Sequence, residues 1–425
     1  MFPTQGAWKP VTVRGAGFAL PGADRPCHDY KEFADSVMAG SCAITPFELA
    51  GTPIRVAGQV PGTGAETLDL PDRLVSRLPR ASRLAHTAVA NALDHAELTA
   101  AEISRRDAVL IVTSFQFALQ ETAVLLDRFA EAGPAGVAFD YWSKVAPGSI
   151  ASGLCTNLGL DIPTLTLTGG CSTSLRGFEL AASMVARGEV EYAVVVGADT
   201  ILEPLYLSAT GYAGRSGHRA SSISDDPADV RPHDAVQTGN APAEGAAATV
   251  LTSARNPGGG VDAAVEFIGF SSRNGGGNPM GLGDPKRCAA DIRRLLAVGG
   301  VSLGDLAFFC DFAEGNRQLE DFLCETLVTL RAALADDAPL TLTSQEACYG
   351  HLPGAAGLLK VLASLVMLTE NRVAPTANLV NPYPRLPARA LAGSSERIAD
   401  NGRRTAMTVG LSGGGDTTSL LLRLA

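Results

Sequence analysis

The sequence contains no CxxC and no HxxxH spacing, so it offers none of the paired ligands of a zinc ribbon or a helical metal motif, and no metal site is expected. Cysteines do occur, at 27, 42, 155, 171, 288, 310, 324 and 348, but mostly among apolar neighbours. Seven of them read as reduced core thiols, which excludes a disulfide framework. Charge is scarce: 18% of residues are charged and the formal net charge is −10. Nucleic-acid affinity comes from counterion release by clustered Lys and Arg, so a nucleic-acid partner is excluded. The two basic runs, residues 76–83 and 286–294, read as solvated helix faces. No stretch approaches the ~18 apolar residues of a membrane span, and no leader-like pattern opens the chain. A cytoplasmic protein without membrane contact is expected. GLSGGGDTTS lacks the GK[ST] of a phosphate loop, and the GxG of VTVRGAGF does not run into a helix start, so no nucleotide cofactor is expected.

What is present is a chain of 425 residues with 46% hydrophobic content, long enough for two or three domains' worth of core. Residues 107–114, 164–168, 191–199 and 246–254 are short, apolar, β-branched runs, and helix-period segments lie between several of them. That alternation predicts α/β layering with largely buried sheets. A repeat is visible as well. PTLTLTGGCSTS (163–174) resembles PLTLTSQEACYG (339–350), and GAAATVLTS (245–253) matches GDTTSLLLRL (415–424) in kind. Two similar α/β halves follow, residues 1–255 and 256–425, joined through the Pro- and Gly-containing run at 253–261, with chemistry expected where they meet. The run NGGGNPMGLGDP at 274–285 reads as an irregular surface loop.

In TLTLTGGCSTSLRGFELAASMVARG a strand ends at Gly169 and Gly170, and Cys171 stands where a helix begins, with Ser172 to Arg187 helical and Gly188 ending it. Leu175, Phe178, Ala182 and Val185 make its buried stripe. The positive end of the helix dipole favours a thiolate there. The paired glycines permit a sharp turn, and the Cys171 N–H is free to act as an oxyanion donor. Alone, Cys171 would be one more core thiol; the strand, Gly-Gly and small-residue helix make it a candidate nucleophile.

Together these segments resemble the β-ketoacyl synthases of the thiolase superfamily, in the elongating branch used by fatty acid and polyketide synthesis. GGCSTSL is similar to the family's nucleophile motif, RPHDAVQTGNAPAEGAAATVL (231–251) to the close of its first half, CYGHLPGAAG (348–357) to its second histidine motif, and VGLSGGGDTTSLLL (409–422) to its C-terminal glycine-rich loop. The resemblance implies a duplicated, thiolase-like five-layered α/β/α/β/α sandwich, usually a homodimer or pseudo-symmetric heterodimer. It implies that Cys171 accepts an acyl chain from the phosphopantetheine arm of an acyl or peptidyl carrier protein, with no cofactor of its own, and that His351 is an active-site histidine.

Three departures stand out. The family has a second catalytic histidine before the glycine that matches Gly315; here it is Glu314. The family has a lysine five residues before the GH histidine and a glutamate nine after it; here Glu346 and Lys360 occupy those offsets, an exchanged pair expected to bond with reversed polarity. The phenylalanine that gates the family's thiol is replaced by Gly413, which opens the pocket and offers an N–H as second oxyanion donor. An ionised Glu314 would repel a malonyl carboxylate by roughly 4 kcal/mol at ~4 Å and an effective dielectric of ~20, on the order of a thousandfold in binding or rate. A carboxylate near a Cys thioester suits proton abstraction instead, and burial beside Glu346 would raise its pKa. The leading expectation is non-decarboxylative C–C or C–O closure, such as an intramolecular aldol addition with lactonising release. Standalone cyclising ketosynthases of salinosporamide-type β-lactone pathways are a functional parallel. The alternatives are a conventional decarboxylative synthase with protonated Glu314, and a non-catalytic partner like a chain-length factor.

Overall fold

A computed structural model describes residues 10–22, 24–62, 64, 68, 70–137, 141–146, 148–213, 218–219, 223–253, 260–261, 263–275, 281–398 and 404–424. The expected boundary at 255/256, most of the 253–261 connector and residues 276–280 of the glycine-rich loop lie outside the described residues. The first half contributes β1 (Val11–Ala19), α1 (Arg80–His95), β2 (Ala108–Ser114), α2 (Leu119–Ala132), α3 (Ser149–Leu158), β3 (Thr164–Thr168), α4 (Thr173–Arg187), β4 (Tyr192–Thr200), α5 (Pro204–Gly211) and β5 (Glu244–Ser253). The second contributes β6 (Ala263–Asn274), α6 (Pro285–Gly299), β7 (Leu306–Cys310), α7 (Arg317–Leu334), β8 (Thr341–Thr343), α8 (Ala356–Thr369), β9 (Thr405–Ser412) and β10 (Asp416–Leu424).

Strand order is 3-2-4-5-1 in the first half and 8-7-9-10-6 in the second, so the two halves repeat one five-stranded topology, to which the second adds a short parallel strand, Arg389–Ala390, outside β8. In each, the first three strands of that order are parallel and the last two run antiparallel. The repeat seen in the sequence pairs β3 with β8 and β5 with β10, which occupy equivalent places. The halves are hydrogen-bonded edge to edge where β1 meets β6, at Val11 with Val265, Thr12 with Ala264 and Val13 with Ala263.

Side-chain alternation builds the layers. Along β2, Val109 and Ile111 face Leu175 and Phe178 of α4 and the apolar face of α8, whereas Leu110 and Val112 face α1 and α3. Along β7, Phe308 and Cys310 turn toward α4 and α8, whereas Phe309 turns toward α6 and α7. The result is the five-layered α/β/α/β/α sandwich, with α4 and α8 enclosed between the two half-sheets. The expected stripe of Leu175, Phe178, Ala182 and Val185 is buried.

Three local expectations are corrected. The strand at 164–168 is not buried: β3 forms the outer edge with only β2 beside it, and Leu165 is 38% exposed. The basic run 76–83 is not a solvated face throughout, because Arg80 donates two hydrogen bonds to the buried Glu244 carboxylate, at 2.7 and 2.6 Å. Of the seven expected core thiols, Cys42 and Cys155 are half-buried at the margins of the core. Among the described residues no helix is long and apolar enough to cross a membrane.

Phe178, fully buried in the central layer, provides a test of this packing. Phe178→Ala is expected to cost about 3–5 kcal/mol in chemical denaturation; unchanged stability would contradict the enclosed layer.

Candidate active site

The turns that follow β3, β7, β8 and β9 converge on one cavity of about 150 Å³, bordered by Cys171, Glu314, Glu346, His351, Lys360 and Gly413. Convergence at the carboxyl ends of parallel strands is where open α/β sheets place their chemistry.

Cys171 is half-buried one residue before the Ser172 cap of α4. A Cβ at Gly170 would lie 2.5 Å from the Ser412 Cβ, so glycine is required for the β9 turn to approach the thiol. The Ser172 N–H donates to Ser412 Oγ at 2.8 Å, and Ser172 Oγ donates to Asp416 Oδ2 at 3.0 Å, so the nucleophile turn is held by the other half. Gly413 is exposed, and a Cβ there would meet nothing within 4 Å, consistent with an open entrance beside the sulfur.

His351 is fixed by its own backbone: its N–H donates to the Ala241 carbonyl at 2.7 Å, and its carbonyl accepts from the Ala243 N–H at 2.9 Å. The ring spans three groups. Its Nε2 lies 3.0 Å from Cys171 Sγ, and its Nδ1 lies 3.0 Å from both Glu346 Oε2 and Glu314 Oε2. Burial alone would push the imidazole down, but Cys171, Glu314 and Glu346 together hold it well above its usual range. These contacts favour the protonated form of the ring.

The two carboxylates behind it behave oppositely. Burial pushes Glu346 up, but the adjacent Lys360 ammonium and His351 outweigh this and bring it down to about 2. Lys360 is itself buried and is held above its ordinary value by Glu346 despite burial. Glu314 is raised, chiefly by burial and further by Glu346; His351, the Asn240 side chain and Lys360 offset part of this. Contacts and burial thus push the two carboxylates in opposite directions, Glu346 down and Glu314 up. Gly315 makes the turn possible: its φ is 90°, and a Cβ would fall 2.6 Å from the Gly239 carbonyl oxygen.

All six residues singled out in the sequence therefore meet at one cavity, with one difference of detail. Glu314 reaches the imidazole from the side opposite the sulfur, giving a thiol–imidazole–carboxylate series in which the ring is oriented from behind. Glu314, Glu346 and His351 also present ligand atoms within 4.8 Å of one another. The Lys360 ammonium and the imidazolium already balance the two carboxylates there.

Several residues were not legible beforehand. Asp199, at the end of β4 and fully buried, accepts from Ser114 Oγ at 2.6 Å and from the Phe115 and Gln116 N–H groups, fixing the turn after β2. Phe115 in turn meets Tyr206 of α5 edge to face, with centroids 6.0 Å apart. Burial first, then the charges of Cys171 and Glu314, raise the Tyr206 phenol, so it is a neutral group within electrostatic reach of the cavity. The one sequence signal was the aspartate closing an otherwise apolar strand run.

Known structures share this architecture. The ishigamide ketosynthase/chain length factor superposes with a TM-score of 0.82 at 22% identity, covering 99% of this chain and 100% of that one. A type II polyketide synthase acyl-carrier protein in complex with its ketosynthase bound to the hexaketide gives 0.79 at 16%, covering 98% and 100%. The class is a thiolase-like fold with a cysteine-centred site. The model of the β-ketoacyl synthase N-terminal domain matches residues 9–256 and that of the C-terminal domain residues 271–380, so the chain belongs to the β-ketoacyl synthase family of acyltransferase-type enzymes. The granaticin polyketide putative β-ketoacyl synthase 1 of Streptomyces violaceoruber is 27% identical over 431 residues, 97% of each chain.

The reversed ion pair gives a direct test. Glu346→Gln or Lys360→Met leaves its buried partner uncompensated and is expected to cost about 3–5 kcal/mol. The double exchange Glu346→Lys with Lys360→Glu should recover most of that loss in denaturation, without restoring chemistry at Cys171, because an ammonium then faces His351. A double variant no more stable than the singles would refute the pairing.

Proposed function

We propose that the protein is a ketosynthase-like acyltransferase of polyketide biosynthesis, acting in the cytoplasm, that takes a carrier-bound acyl chain onto Cys171 and closes a C–C or C–O bond without decarboxylating malonate. The observation that carries this reading is the Glu314 carboxylate at His351 Nδ1 in the Cys171 cavity, where the family has a second histidine. In the first step the Cys171 sulfur attacks the carrier thioester, and the phosphopantetheine thiol leaves with a proton. Glu314 then takes a proton from an acidic C–H of the bound chain, and the resulting enolate adds to a carbonyl of the same chain. The new alkoxide attacks the Cys171 thioester carbonyl. The lactone departs, and the sulfur leaves as thiolate and recovers through His351 the proton that Glu314 had taken, which restores the Cys171 thiol and the Glu314 carboxylate. The carrier protein is supported by the relatives' chemistry and by the open entrance at Gly413, whose N–H and that of Cys171 are the proposed oxyanion donors.

A second reading has its own support. Because Glu314 is raised, a protonated carboxyl there would donate a hydrogen bond as histidine does, and decarboxylative condensation would remain open. Intact-protein mass spectrometry with an acyl-carrier substrate separates the two. Wild type should be acylated and Cys171→Ala should not; Glu314→Gln should be acylated yet release product at least about tenfold more slowly, within the range of lost general-base catalysis. Release should also fail as pH drops through a value above the ordinary 4.5 of a carboxyl, since only the ionised base takes a proton. Rapid CO2 release from malonyl carrier would favour the second reading, and normal turnover of Glu314→Gln would remove the base role.

Dimerisation is proposed on the bare β3 edge and on α2, which buries none of its residues while Leu126 and Phe129 are 63% and 50% exposed. A homodimer is expected by light scattering. Leu126→Ser with Phe129→Ser should shift it toward monomer, and a wild-type monomer at micromolar concentration would overturn the assembly.

A further inference from the structure

A second buried charge cluster lies outside the cavity. His233, in the segment leading into β5, is fully buried between two acids of the second half. Its Nε2 lies 3.1 Å from Asp311 Oδ2, its Nδ1 lies 3.0 Å from Glu320 Oε1, and its N–H donates to Glu320 Oε2 at 3.2 Å. The residue sits at φ 62°, a left-handed conformation uncommon for a side chain with a Cβ, so the surroundings determine both backbone and ring. Asp311 and Glu320 bracket the stretch 311–320, and Glu314 lies within it.

The same first-half segment grips that stretch in the middle. The Gly239 N–H donates to the Gly315 carbonyl at 3.0 Å, and the Asn240 side chain is near enough to Glu314 to hold its carboxyl down in part. Asp311 also accepts from the Ala313 N–H at 2.8 Å, so its orientation sets the residue before Glu314. We infer that His233 is a positioning residue for Glu314, meeting the acids at both ends of the turn so that the carboxylate meets His351 Nδ1. The inference rests on Glu314 acting at His351, as proposed above, and not on which bond the enzyme closes.

The charges around His233 are consistent with a cation. Asp311 faces it from the end of β7 and Glu320 from α7; Asp234, beside it in sequence, is committed to the N–H groups of Val236, Val380 and Asn381. Arg317 of α7 lies over the Tyr383 ring at 4.2 Å and donates to the Ala235 carbonyl. Burial would lower His233, but the two facing acids hold it well above the usual range. Asp311 in turn is felt by Lys360. The series Glu320, His233, Asp311, Lys360, Glu346, His351 therefore alternates in sign from α7 to the cavity.

The test is histidine-selective NMR of the full chain, which has six histidines to resolve. Glu314→Gln should lower the pH at which His351 titrates by about one unit or more, because a facing carboxylate is lost. His233→Gln should lower it in the same way, since Glu314 is released from the ring. The double variant should move it no further than Glu314→Gln alone, as expected for two residues acting through one contact. A folded His233→Gln with an unmoved His351, or fully additive shifts, would overturn the inference. If His233→Gln does not fold, Glu320→Gln takes its place: it keeps the shape of the cluster and removes one charge, and a folded Glu320→Gln with unmoved His351 counts equally against it. Normal product release by Glu314→Gln would remove the base role while leaving these titrations readable.

Discussion

The three contacts of the buried His351 ring are the constraint on which the rest of the cavity depends. A sulfur meets one nitrogen and two carboxylates meet the other, and these acids favour the charged ring that burial alone would oppose. Two carboxylates beside one cation would leave the site too negative, and Lys360 supplies the missing charge. The unequal titrations follow. Glu346 touches both cations and stays ionised; Glu314 shares only the ring, so burial prevails. Residues of the same type are thus shifted in opposite directions by their contacts alone.

The exchanged pair explains how this arrangement differs from the pattern the chain resembles. With lysine before the histidine motif and glutamate after it, an ammonium would stand next to His351. Reversal keeps the pair neutral as a unit but turns its negative end toward the ring. A carboxylate, not an ammonium, then abuts Nδ1 and favours the charged form of the ring. Glu314 and the reversal are therefore one change in physical terms: a second carboxylate at position 314 would be poorly tolerated beside a neutral histidine, and it is accommodated once that ring carries charge.

The fold was legible because its signals are local. Strand composition, the helix stripe of α4 and the repeated strand-turn-helix segments are all contained in short windows, and the equivalence of β3 with β8 was visible directly. Neighbours are not local, so the edge position of β3 was missed: a run of Thr and Leu reads the same whether one strand or two lie beside it. The site was legible for the six residues that sit at fixed motif offsets. That Glu314 approaches the far side of the ring could not be read from offsets, which carry no direction. Asp199, Tyr206 and His233 act across segments far apart in the chain, and of the three only Asp199, closing an apolar strand run, carries a local mark.

The duplication also explains why neither half can act alone. Cys171 follows β3 and His351 follows its counterpart β8; Glu314 follows β7, and the Asp199-anchored turn at Phe115 follows its counterpart β2. Equivalent turns have been given different chemistry, with the sulfur and an aromatic wall in one half and the charged groups in the other. The 3.0 Å between Sγ and Nε2 therefore depends on how the halves are docked. That docking is fixed close to the thiol, where Ser172 and Arg176 of α4 bond Asp416 and Ser412 of the opposite half, and again at the turn of Glu314, where His233 enters from the first half. The Cys171 turn and the Glu314 turn are each held by the half to which they do not belong, so a shift between halves would draw the sulfur from His351 and release the turn that carries the carboxylate.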